Sequence, residues 1–189
     1  MPAAASKIHR CGWCGDDPLY MAYHDEEWGK PAHNDQHLFE MLCLEGAQAG
    51  LSWITILRKR ENYRKAFHQF DIGKCAKLTD SYLEKQLQNE GIIRNRLKVF
   101  GVRKNAIAAQ AVIAEFGSLD AYLWSFAPKN RKPAPWAKYT DAPASTPESD
   151  AMSKALKKRG FTFVGSTICY AFMQAVGMVN DHEKGCAFK

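Results

Sequence analysis

The chain has 189 residues, of which 46% are hydrophobic and 24% charged, with a formal net charge of +6. This length and balance suit one globular domain with a real core and exclude a low-complexity or disordered protein. No apolar run approaches the roughly 20 residues that span a bilayer, and the opening "MPAAASKIHR" lacks the apolar stretch of a secretory signal. The expectation is a cytoplasmic protein without membrane contact, in which six cysteines do not form a disulfide framework. The positive balance favours a polyanionic partner.

Residues 1–10 read as a flexible tail and 11–189 as one domain. No strand-turn-strand signal occurs, whereas helical periodicity recurs, so the fold class is all-α. "NDQHLFEMLCLEGAQAG" offers Asn34 or Asp35 as N-cap, an apolar stripe at Leu38, Met41, Leu42 and Leu44, and a glycine stop. "SWITILRKRENYRKAF" has Ser52 as cap, with Ile56, Leu57, Tyr63 and Phe67 along one side. "TDSYLEKQLQNEG" opens on a Thr/Asp cap and closes at Gly91. "NRLKVFGVRKNAIAAQAVIAEFG" predicts a long helix with Val99, Val102, Ile107 and Val112 inward, and a short helix follows in "SLDAYLWSF". Together these make a middle helical lobe over about 71–127. Residues 128–147 hold five prolines and read as loop. Two helices end the chain: "ESDAMSKALKKRG", stopped by Gly160, and the apolar "GSTICYAFMQAVG", capped by Ser166 and stopped by Gly177.

Metal-ligating residues concentrate at the two ends. Cys11, Cys14 and His24 form most of a ligand set, but no second Cys/His pair follows within the span of a small zinc finger. The complement is "HEKGC", where His182 and Cys186 stand four residues apart, a spacing that suits two ligands in one turn. Thiolates with imidazoles favour one structural Zn²⁺ in a closed tetrahedral site joining the chain ends. Spacing alone leaves three N-terminal candidates for two places. Cys43, Cys75 and Cys169 fall in apolar helical patterns and read as inert buried thiols.

A second concentration is aromatic and acidic. Glu45 ends an apolar helix beside small residues and Trp53, while Trp13, Tyr20, Tyr23 and Trp28 come from the opening segment. Flat π faces around one carboxylate make a slot for a planar, cationic, hydrogen-bond-donating ligand. The competing reading packs each aromatic in the core and pairs Glu45 with Arg58 or Lys59.

The stretches "CGW…DPLYMAYHDEEWG", "LFEMLCLEGAQAGLSWITILRKRENYRKAFHQFD", "GIIRNRLK" and "SDAMSKALKKRGFTFVGSTICYAFMQAVGMVNDHEKGC" together resemble the TAG-type DNA-3-methyladenine glycosylase I family, in order from Cys11 to Cys186. The resemblance implies a helix-hairpin-helix glycosylase fold, a zinc joining the termini, and the ligand set Cys11, His24, His182 and Cys186, leaving Cys14 outside. It also implies that the protein, as a monomer, flips N3-methyladenine out of alkylated double-stranded DNA and excises it hydrolytically. Trp13 and Trp53 would stack on the base, with Tyr20 beside them. Tyr23 and Glu45 match base-contacting positions, and Glu45 is the expected catalytic carboxylate, with Asp120 as its rival. No lysine context suggests a Schiff-base nucleophile, so no lyase activity is expected.

On this reading the hairpin is "QNEGIIRNRLK". Gly91 ends one helix, backbone N–H groups over Ile92 to Asn95 meet a phosphate, and Arg94, Arg96 and Lys98 add charge, with a solvated basic face as the alternative for these three. Leu51, after a glycine and before a helix, is the expected wedge filling the gap left by the flipped base, with a buried packing role as the alternative. A zinc-stabilised DNA-damage-binding module without catalysis is the alternative for the chain as a whole.

Overall fold

The computed structural model describes residues 8–134 and 136–189, so residues 1–7 of the expected tail lie outside the described residues. Within them the protein is all-helical: no named strand occurs, and one isolated bridge joins Pro133 to Asn180. Nine α-helices are described, starting with α1 (Pro18–Glu26), α2 (Asp35–Gln48), α3 (Trp53–Ala66), α4 (Ile72–Ala76) and α5 (Asp80–Gln86). They continue with α6 (Arg96–Phe116), α7 (Leu119–Trp124), α8 (Pro147–Lys158) and α9 (Ser166–Ala175). None of them is long and apolar enough to cross a membrane.

α2 is the centre. Asn34 caps it by accepting from His37 N–H, and every residue from Leu38 to Ala47 is buried, well beyond the stripe read from the sequence. A helix buried on all sides must be surrounded, and α3, α6, α7 and α9 all pack on it. Two charged residues, Glu40 and Glu45, lie within this buried stretch. Glu40 accepts from Arg60 and Arg64 of α3, and Arg60 also reaches Glu27 just past α1 in a two-pronged pair of 2.6 and 2.8 Å. This buried ion network registers α1 and α3 against α2, because removing one partner strands a charge. Glu45 is the other charged residue, and it has no such partners.

Several boundaries differ from the sequence expectation. α5 stops at Gln86, five residues before Gly91. Asn89 accepts from Gly91 N–H and donates to Gln86 Oε1, a local side-chain turn that outcompetes the helical ladder. α6 buries Val99, Val102 and Val112 as expected, but Ile107 is 54% exposed. The inward face runs instead through Asn105, Ala106 and Ala109, where small side chains allow close packing and Asn105 binds both backbone groups of Thr162. The cap of α9 is Gly165, with Ser166 the first helical residue. α1 and α4 were not read from the sequence at all. α1 is opened by Asp17, whose side chain accepts from Leu19 and Tyr20 N–H, with Pro18 in the first turn.

The chain ends meet. Arg10 grips Asp25 through three contacts of 2.7 to 2.9 Å, and Ala187 N–H donates to His9 O at 2.9 Å.

Candidate base pocket and metal cluster

Cys11, His24, His182 and Cys186 converge in the interior, all four buried, with their ligand atoms within 4.8 Å of one another. Cys11 Sγ lies 3.5 Å from His182 Nδ1, and Cys186 Sγ lies 3.5 Å from both His24 Nε2 and His182 Nδ1. Sulfur at about 2.3 Å and nitrogen at about 2.0 Å from a shared tetrahedral metal stand about 3.5 Å apart. These four side chains therefore have the donor types and the spacing to hold a metal ion. The surroundings agree. His24 Nδ1 is held by Asp25 Oδ1 at 2.8 Å, which aims Nε2 at the cluster. Glu183 N–H and Phe188 N–H point at the sulfurs of Cys11 and Cys186. Burial lowers His182 to about 4, so its ring is the neutral imidazole that a metal needs. Gly29, at φ +77, carries no Cβ where one would sit 2.8 Å from His182 Nε2. Cys14 is buried as well, but its thiol donates to Cys11 O at 3.2 Å and stands outside the set.

Trp28 joins this cluster to a cavity. Its ring meets His182 edge-on at 4.7 Å between centroids and Trp13 edge-on at 4.9 Å. The cavity, about 280 Å³, is lined by all five residues expected to contact a base: Trp13, Tyr20, Tyr23, Glu45 and Trp53. Trp13 comes from the 3₁₀ turn Gly12–Cys14, and Tyr20 and Tyr23 from α1. Glu45 sits in the last turn of α2, and Trp53 opens α3. Tyr23 and Trp53 meet at 5.4 Å, and Trp13 and Tyr20 at 5.0 Å. The size falls near the lower end of small-molecule pockets, about 300 Å³.

Glu45 is 5% exposed, and among the described residues nothing donates a hydrogen bond to it and no cation pairs with it. Arg58 pairs instead with Asp17, and Lys59 donates to Glu90 O, which removes both partners of the packing alternative. Burial raises its carboxyl to about 8. An unpaired buried acid in a concave aromatic site is costly unless a ligand supplies the missing charge or donors. The rival Asp120 is elsewhere, in the first turn of α7, 2.9 Å from His33 Nδ1 and outside the cavity lining.

The remaining walls were missed by the sequence reading. Thr167, Tyr170, Ala171 and Gln174 form one face of α9, Asp181 follows it, and residues 142–144 of the proline-rich loop close another side. The signal for α9 is in the sequence, because Thr167 and Gln174, the polar interruptions of an otherwise mostly apolar helix, fall with Tyr170 and Ala171 on one face at positions 167, 170, 171 and 174.

The expected DNA-contacting residues are placed less uniformly. Leu51 is 41% exposed on the turn between α2 and α3, after Gly50 at φ +78. In the α5–α6 hairpin, however, most of the backbone donors expected to meet a phosphate are used internally. Gly91 and Ile92 N–H bond to Asn89, Ile93 N–H to the Tyr63 hydroxyl, and Asn95 N–H to Ile93 O. Ile92 is buried, and the Asn95 side chain caps α6 through Lys98 N–H. Arg94 is exposed near Glu90, while Arg96 pairs with Glu84 and stacks over Phe100 at 4.3 Å. Among the described residues, the N–H groups of Arg94, Arg96 and Leu97 remain without an internal acceptor.

Residues 13–189 match the model of a protein family described as methyladenine glycosylase. DNA-3-methyladenine glycosylase 1 of Escherichia coli is 52% identical over 179 residues, covering 95% of this chain and 96% of its own. A crystal structure of a 3-methyladenine DNA glycosylase I superposes with a TM-score of 0.90 at 54% identity, covering 95% of this chain and 98% of that one. The Staphylococcus aureus enzyme, solved for the basis of its 3-methyladenine recognition, gives 0.91 at 32% identity over 96% of this chain and 97% of that one. With a fold, a sequence and a family model that agree over nearly its full length, the chain belongs to the methyladenine glycosylase family.

Proposed function

We propose that this protein flips 3-methyladenine out of alkylated double-stranded DNA and hydrolyses the bond joining the base to its sugar, without lyase activity. The observation that carries the reading is Glu45, a buried carboxylate with no partner among the described residues, in an aromatic-walled cavity. A base methylated at N3 is cationic while attached to the sugar, and its exocyclic amine donates hydrogen bonds. Both features answer what Glu45 lacks. Trp13 and Trp53 supply stacking faces, with Tyr20 and Tyr23 beside the carboxylate. Water then attacks C1′ as the base departs with the electron pair of the glycosidic bond. Ordinary adenine is neutral and a poor leaving group, so part of the selectivity belongs to the lesion. Glu45 adds to it by favouring positive charge in a water-poor site.

The Cys11–His24–His182–Cys186 cluster, on this reading, holds one Zn²⁺. Four protein ligands leave no open position for water, so the ion is structural. By fixing His24 and His182 it fixes Trp28, and through Trp28 the Trp13 wall of the cavity. Residues 11–189 then act as one unit. Lesion DNA is held by Leu51 as the wedge and by the α6 N-terminus, with Arg94, Arg96 and Leu97 N–H in place of the hairpin donors used internally. The protein works in the cytoplasm as a monomer.

The test is direct. Methylated duplex DNA incubated with the protein should yield free 3-methyladenine and intact abasic strands. Absence of release at stoichiometric protein would overturn the assignment and favour a DNA-binding module without catalysis.

A further inference from the structure

Besides Glu45, the cavity lining carries three polar residues joined through one carboxylate. Tyr170 and Gln174, one turn apart on α9, both point their donors at Asp181 Oδ2. The Tyr170 hydroxyl donates to it, and Gln174 Nε2 does so at 2.8 Å. All three residues line the cavity, and Asp181 is 8% exposed. A carboxylate only accepts hydrogen bonds. It therefore dictates which end of the Gln174 amide faces it: the NH₂ end. The opposite end, Oε1, has no donor among the described residues and is left to the cavity.

Resting on the glycosylase reading above, we propose that Asp181 is a positioning residue that fixes the hydrogen-bond polarity of the α9 wall. Through Gln174 it selects purines carrying an amino group over those carrying a carbonyl at the same edge. An exocyclic amine meets Gln174 Oε1 as donor to acceptor. A carbonyl oxygen in its place meets another acceptor, and neither finds a proton. Without Asp181 the amide is free to turn over, because its two ends are nearly the same size. Alanine at 181 removes the oxygen that both donors share, and the amide can then turn either end to the cavity as the base requires.

The discriminating quantity is a ratio: kcat/KM for 3-methyladenine release divided by kcat/KM for 3-methylguanine release, both from methylated duplex DNA. In Asp181→Ala this ratio should fall about tenfold, the scale of one unmatched buried hydrogen-bonding group. Gln174→Leu, which removes the acceptor without touching the segment beside His182, should lower the ratio as well. A purely structural role, or loss of metal from the neighbouring His182, would slow both reactions together and leave the ratio where it was. That outcome in Gln174→Leu overturns the proposal even if Asp181→Ala fails to fold. If the parent protein itself releases neither base, the glycosylase reading fails first.

Discussion

Replacing Glu45 by glutamine should make the protein more stable and less active, by an amount that depends on pH. The carboxyl is buried without a partner among the described residues, and burial raises it from 4.5 to about 8. Between those values the folded chain holds a proton that the unfolded chain has released. Stability conferred by this group is therefore complete below about pH 4.5 and declines as pH rises toward 8. At about 1.4 kcal/mol per pH unit the loss is about 3 kcal/mol at pH 7 and approaches about 5 kcal/mol above pH 8. Glutamine keeps the shape and carries no charge, so Glu45→Gln escapes the decline. Urea unfolding of parent and variant at pH 4.5, 6, 7 and 8.5, each at fixed zinc, gives the difference directly. The curves should coincide at the lowest pH and separate steadily above it. Parallel stability profiles, or a variant weaker throughout, would show that Glu45 has a protein partner or sits in water, and the ligand argument built on its isolation would fall with it.

The same ionisation should appear in catalysis. For a cationic lesion, kcat/KM of the parent should rise with pH through about 8, a limb absent from Glu45→Gln, whose rate should be lower by at least about tenfold where the parent is ionised; a shared limb would assign it to another group. Metal analysis should give close to one zinc per chain, kept in Cys14→Ser and lost in Cys186→Ser, and equal loss in both would make Cys14 a ligand. Leu51→Ala should slow excision from duplex DNA while sparing excision from a single strand, where no gap needs filling; equal slowing on both would refute the wedge. Lys98 Nζ caps the end of α2 by donating to Ala47 O and Ala49 O at 2.8 and 2.7 Å. Lys98→Met should therefore cost about 1–3 kcal/mol in urea unfolding, and an unchanged midpoint would contradict that role.

Local chemistry was legible in the chain itself. Asn34 and Thr79 announce their helices because a short polar side chain satisfies the first free N–H groups whatever the tertiary context. The aromatic and acidic composition of 11–29, and the complementary His182 and Cys186, pointed to a cavity and a metal for the same reason: these side chains have few uses together. Ile107 marks the limit. Periodicity assigns an apolar residue to a face, but whether alanines or isoleucine face inward depends on how closely α6 approaches its neighbours. The end of α5 is similar, since Asn89 stops it through a side-chain turn that the helical pattern of "SYLEKQLQNEG" does not show.

What the sequence determined by itself was the inventory: an all-α chain, three N-terminal candidates for two metal positions, and an acid among tryptophans and tyrosines. Only the tertiary structure decided among them. It turns the Cys14 thiol to Cys11 O and away from the cluster, and leaves Glu45 unpaired by sending Arg58 and Lys59 to other acceptors. It also brings Gln174 and Asp181 into the same cavity as Trp13, more than 150 positions away. The physical reason is common to all three. A side chain's type is local, but its partner, its burial and the direction of its donors are set by whichever distant segment packs against it.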